Sequence, residues 1–66
     1  MVVMKHRRKF FVGDEYSGLQ YDKLDWIAKT FPRDSYYYVD EGYVYFDQYV
    51  IFHEEKDALL FKLRWG

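Results

Sequence analysis

The stretch that decides the fold is residues 36–52, which read YYYVDEGYVYFDQYVIF. Its aromatic and β-branched residues are typical of strands, and they fall into two segments, residues 36–39 and 43–46. Between them, Gly42 can supply the positive φ of a three-residue hairpin loop. The sequence therefore predicts an antiparallel hairpin joined by residues 40–42.

Strands are also predicted on both sides of this hairpin. Apolar and basic residues alternate over residues 2–12, which indicates a strand with one charged side. After the hairpin, Asp47 and Gln48 could turn the chain into a further strand over residues 49–52. Asp-Gln is a weak turn pair, so this last strand is left as an open alternative.

Two helices complete the pattern. Apolar residues spaced three and four apart predict a helix over residues 19–31, which Pro32 ends. Ser17 and Gln20 have the spacing of a capping box at its start. A second helix is predicted over residues 54–65, because acids fill its first turn and bases its last turn.

The resulting order, β-α-β-β-(β)-α, predicts an α+β fold in which a small antiparallel sheet and two helices form a two-layer sandwich. Residues 1–66 are expected to form a single domain. The chain has no Cys and no apolar stretch of membrane-spanning length, so we expect a cytoplasmic protein without disulfides or membrane contact. The expected core is Val2, Met4, Phe10, Val12, Leu24, Ile27, Ala28, Phe31, Val44, Phe46, Phe52 and Phe61.

Composition indicates a binding protein. The chain contains six Phe, eight Tyr and two Trp, more rings than so small a domain can bury. Residues 34–57 hold seven acids against one base, although the net charge is only −1. Exposed Tyr is favoured in protein interfaces. The predicted partner-binding surface is an outward Tyr face with its acids, formed by Tyr36, Tyr38, Asp40, Glu41, Tyr43, Tyr45 and Asp47.

The second helix suggests self-association. It is apolar around most of its circumference, which is hard to bury in a small domain. One side is expected to pack on the sheet, and the other could pack on a second copy. The residues proposed for such a homo-oligomer are Leu59, Leu63 and Trp65.

Catalytic and metal motifs are sparse. A zinc-binding helix needs two His residues four apart, whereas here Asp57 stands four positions after His53. There is no Cys nucleophile, and Ser17 is better explained as a helix cap. We therefore expect neither an enzyme nor a cofactor.

A basic cluster gives an alternative function. Lys5, Arg7, Arg8 and Lys9 could contact the phosphates of a nucleic acid, while Tyr residues stack on its bases. The most Tyr-rich part of the chain is also the most acidic, which disfavours phosphate binding. A charged, solvent-facing strand explains the same cluster equally well.

The last fifteen residues, FHEEKDALLFKLRWG at 52–66, resemble the C-termini of small uncharacterised proteins of tailed bacteriophages. That family combines an early helix carrying a Trp, here Trp26, with a C-terminal helix similar to DAxxFKLRW. The resemblance implies a phage accessory protein in the cytoplasm of the infected host. Such proteins bind a host polymerase, nuclease or defence complex and modulate or inhibit it. A structural or assembly subunit is a further alternative.

Overall fold

The computed structural model describes residues 8–42 and 44–66. The strands of this part of the chain form one antiparallel sheet in the order β2-β1-β4-β3, and the prediction of a two-layer α+β sandwich is confirmed. In chain order the elements are β1 (Lys9–Asp14), β2 (Gly18–Leu19), α1 (Tyr21–Thr30), a 3₁₀ turn (Arg33–Ser35), β3 (Tyr36–Glu41), β4 (Asp47–Phe52) and α2 (Glu55–Trp65).

Aromatic contacts join the helices to one face of the sheet. Phe52 at the end of β4 lies 4.8 Å from the Phe31 ring, just after α1, and 5.7 Å from the Phe61 ring of α2. Phe10 of β1 completes the group at 4.8 Å from Phe61. The buried core consists of Val12, Ile27, Phe31, Val50, Phe52, Ala58 and Phe61.

The hairpin is longer than predicted, and its loop is displaced. Residues 44–46 do not form a strand; β3 pairs with β4 from Tyr36 opposite Phe52 to Glu41 opposite Asp47. The predicted turn at Asp47 and Gln48 is therefore also wrong, because both residues belong to β4. The observed pairing is longer and makes β4 a central strand, which buries Val50, Ile51 and Phe52. Val44 and Phe46, both expected in the core, are exposed instead.

The helices lie close to their predicted positions, but α1 starts differently. It begins at Tyr21, and Gln20 at the N-cap makes no side-chain capping bond, so the capping box is wrong. Pro32 follows the end of the helix, as predicted. Ala28, which was expected in the core, is exposed, whereas Trp26 packs against the core. Neither α1 nor α2 has the length and apolar character needed to cross a membrane.

β1 contains a bulge at Val12. The register shifts between Phe11 and Gly13, and Val12 is fully buried. Gly13 has φ +126°, and a Cβ atom there would lie 2.6 Å from both the Gly18 oxygen and the Leu19 Cα. The close pairing of β1 with β2 therefore requires glycine at position 13.

We expect Gly13→Ala to lower the free energy of unfolding by about 3 kcal/mol or more, because it combines backbone strain with a backbone clash. Gly18→Ala is the matched control: its φ of +93° is also unfavourable for Ala, but nothing lies within 4 Å of the added Cβ. Its cost should be about 1–2 kcal/mol. Urea denaturation measures both, and equal losses would contradict the clash.

Candidate binding surface at the hairpin tip

The strand register divides the predicted contact residues between the two faces of the sheet. Tyr36 lies opposite Phe52 and Tyr38 opposite Val50, so both rings share the face that the helices cover. The prediction that these two Tyr rings form an outward face opposite Val50 and Phe52 is wrong. The reason is the longer hairpin, whose register places the even-numbered residues of β3 toward the core.

Asp40, two positions after Tyr38, lies on the same face as these rings. Glu41 and Asp47 are opposite each other at the end of the β3–β4 ladder, on the sheet face away from the helices. Tyr45 lies in the loop between the strands. Tyr43 lies outside the described residues.

Two of the predicted acids bind side chains of the protein itself. Glu41 accepts a hydrogen bond from the Lys9 ammonium, which spans from β1 to β3 and lies 4.8 Å from the centre of the Tyr49 ring. This bond raises the pKa of Lys9 above its usual 10.5. Asp40 accepts a hydrogen bond from the Gln48 side-chain amide. These two carboxylates therefore help to order the hairpin.

Four exposed aromatic and apolar side chains lie at the hairpin tip. We call Tyr16, Val44, Tyr45 and Phe46 the tip cluster. Tyr16 and Val44 are 79% and 71% exposed, and Tyr45 and Phe46 are each about half exposed. The rings of Tyr16 and Tyr45 lie 5.0 Å apart, and the Glu15 amide donates to the Tyr45 carbonyl at 2.8 Å. The turn after β1 and the hairpin loop thus form one surface.

Acidic residues flank the tip cluster along the chain. Asp14 and Glu15 belong to the turn, while Asp40, Glu41 and Asp47 flank the loop. Glu41 forms a salt bridge with Lys9, and within the described residues the other four acids form none. The tip therefore combines exposed rings with a negative rim.

Local hydrogen bonds fix the turn that carries Tyr16. The Ser17 amide and hydroxyl both donate to Asp14 Oδ1, at 2.5 and 2.8 Å. Both bonds hold the pKa of Asp14 below its usual 3.8, and the bond from the backbone amide has the larger effect. Ser17 thus stabilises the turn instead of capping α1.

The loop side of the tip contains backbone strain. Phe46 has φ +54°, in the left-handed region that favours Gly and Asn over a bulky side chain. The loop thus holds an apolar ring in the solvent at an energetic cost. Such strained positions cluster at ligand-binding sites.

An open groove lies at the other end of the hairpin. It has a volume of about 590 Å³ and is lined by Ala28, Arg33, Tyr36 and Tyr38. Burial raises the pKa of the Tyr38 phenol above 10.0, and the nearby Tyr36 phenol adds a smaller increase. The groove runs beside β3, which is an edge strand of the sheet.

Only half of the predicted basic cluster lies within the described residues. Lys5 and Arg7 lie outside the described residues. Arg8 is half-buried, and Lys9 is bound to Glu41. The described part of the chain therefore brings no free basic surface together at this strand.

On α2, the predicted self-association residues separate. Leu59 is about half exposed, as is neighbouring Leu60, and Leu63 is 84% exposed. Trp65 instead packs against the core, with its ring 6.2 Å from that of Trp26. The exposed stripe is thus Leu59, Leu60 and Leu63, and Trp65 belongs to the contact between the helices.

Comparison with known protein families, curated proteins and solved structures gives no match to this chain. Within residues 8–42 and 44–66, no three His, Cys, Asp or Glu side chains come together as a metal site requires. The interpretation of the tip therefore depends on its own geometry.

We expect the depressed pKa of Asp14 to make the folded state less stable in acid. Because the folded state favours the ionised carboxylate, this stabilisation is complete above pH 3.8 and is lost as the pH falls through the lower folded value. Ser17→Ala removes one of the two hydrogen bonds and should move the pKa part of the way back to 3.8. An NMR titration of the Asp14 carboxyl carbon measures both values, and a wild-type pKa at or above 3.8 would contradict the turn geometry.

We expect Trp65→Ala to lower the free energy of unfolding by about 2–3 kcal/mol, because it removes a partly buried ring from the core. Leu63→Ala, two residues away on the exposed side, should change it by less than about 0.5 kcal/mol. Thermal or urea unfolding at low protein concentration separates the two. Similar losses would show that Trp65 does not support the core.

Proposed function

We propose that this chain is a small bacteriophage accessory protein that binds a host protein stoichiometrically and modulates or inhibits it. It acts by contact and not by catalysis, in the cytoplasm of the infected cell. The contact surface is the tip cluster with its acidic rim. The resemblance of the C-terminal helix supports the phage origin, and the geometry of the tip supports the binding mode.

The observation that carries the proposal is the exposure of four apolar side chains at one end of the sheet. Tyr16 and Tyr45 hold each other in place, and a backbone hydrogen bond joins their segments. Rings that are already ordered lose little conformational entropy on binding. Such residues are common among the few that dominate the affinity of an interface.

The acidic rim supports a partner with a basic surface. Asp14, Glu15 and Asp47 adjoin the cluster, so a matching surface would present an apolar pocket bordered by Lys or Arg. Charge complementarity of this kind speeds association and rejects partners with acidic surfaces. Host proteins that bind DNA or RNA carry basic grooves with this character.

The test is capture of the host protein from lysate on tagged chain, followed by measurement of the dissociation constant with the purified partner. Phe46→Asn removes the ring while keeping a residue that tolerates positive φ, so the fold should be retained. Combined with Tyr45→Ser, it should weaken binding at least about 30-fold, as expected for loss of a dominant contact.

The matched control is Tyr21→Ser, which removes an exposed ring from α1. It should leave the dissociation constant unchanged within about threefold. Circular dichroism verifies that each variant is folded. Unchanged affinity in the double variant, or capture that nuclease treatment abolishes, would overturn the proposal.

A further inference from the structure

The two edges of the sheet differ in a way that predicts self-pairing. At one edge, β2 contains only Gly18 and Leu19, which is too short to serve as a template. At the other edge, β3 runs for six residues, Tyr36–Glu41, in an uninterrupted register with β4. It contains no Pro, Lys or bulge, three of the features that block pairing at an exposed edge. Its two charged residues, Asp40 and Glu41, lie at one end of the strand and already bind Gln48 and Lys9.

The hydrogen-bond pattern identifies which backbone groups of β3 point away from the sheet. The His53 amide donates to the Ser35 carbonyl at 3.0 Å, so residues 35, 37, 39 and 41 are those bonded to the neighbouring strand. Bonded and non-bonded pairs alternate in an antiparallel ladder. The amides and carbonyls of Tyr36, Tyr38 and Asp40 therefore face outward, and no described strand pairs with them.

We propose that β3 pairs with β3 of a second copy, antiparallel and centred on Tyr38, to give a two-fold symmetric dimer with a continuous eight-stranded sheet. In this register Tyr38 pairs with Tyr38 of the second copy, and Tyr36 pairs with Asp40 of the second copy. The outward-facing amides and carbonyls of Tyr36, Tyr38 and Asp40 then all form hydrogen bonds with the second copy. The axis is perpendicular to the sheet, so the helices of both copies lie on the same side.

The side chains fit this register. On the face away from the helices, Tyr37 lies opposite Val39 of the second copy, which is a favourable aromatic and β-branched pair. Asp40 and Glu41 lie opposite Tyr36 and Ser35, so the carboxylates do not oppose one another. A parallel arrangement would instead place Asp40 beside Asp40, and like charges in that position are unfavourable.

The groove supplies space and a charge for the second copy. It opens beside β3 between Ala28, Arg33, Tyr36 and Tyr38, and Tyr38 is still 40% exposed in one copy. Pairing brings the Tyr38 rings of the two copies together there. It also brings Asp40 of the second copy opposite Tyr36, beside the groove that Arg33 helps to line.

The test compares two substitutions at the same residue by light scattering and sedimentation. Tyr38→Pro removes the outward amide without breaking a bond to β4, whereas Tyr38→Val removes the ring but keeps the amide. The wild type and Tyr38→Val should have twice the 8.2 kDa chain mass. Tyr38→Pro should raise the dissociation constant at least about 30-fold, because two hydrogen bonds per dimer are lost.

Hydrogen exchange tests the proposal without any substitution, which covers the case in which Tyr38→Pro unfolds. The amides of Tyr36, Tyr38 and Asp40 should become protected as wild-type concentration rises, whereas those of residues 37 and 39 should be protected throughout. A wild type that stays at 8.2 kDa up to about 1 mM, a concentration at which interfaces of even modest affinity form, would overturn the proposal.

A dimer that survives Tyr38→Pro but is lost in Leu63→Ser would also overturn it and would place the contact on α2. The inference is independent of the tip cluster, since these substitutions leave residues 44–46 unchanged. Loss of dimerisation and loss of host-protein binding are therefore measured separately.

Discussion

The packing of Phe52 is the interaction on which the rest of the structure depends. Its ring contacts Phe10 of β1, Phe31 after α1, Tyr36 of β3 and Phe61 of α2. One side chain thus connects three strands with both helices. A chain of 66 residues without Cys has no disulfide to stabilise its small core. Clustered aromatic rings stabilise it instead, because each ring buries a large apolar area.

The same contact explains which parts of the fold could be predicted from sequence. The helices were placed within about two residues, because their apolar spacing and Pro32 are local signals. The hairpin register was not predicted correctly, because the alternation of Tyr with Val and Phe over residues 43–46 is also the pattern of a strand. What decides the pairing is burial of Val50, Ile51 and Phe52 between two neighbouring strands, and that depends on residues far away in the sequence.

The candidate site was predicted only in part, for a related reason. Composition pointed to an acidic, aromatic hairpin, and Tyr45 with its neighbouring acids lies at the tip. Tyr16, Val44 and Phe46 were not expected there. Tyr16 reaches the tip through a contact between two separate turns, and Phe46 is exposed because its backbone enters the left-handed region. An alternating sequence pattern reports neither the meeting of two loops nor a change in backbone angle.

The meeting of α1 and α2 has an optical consequence. The only two tryptophans of the chain, Trp26 and Trp65, lie edge to face 6.2 Å apart at this contact. Indole emission therefore reports the docking of one helix against the other. The protein therefore carries an intrinsic fluorophore pair for following helix assembly.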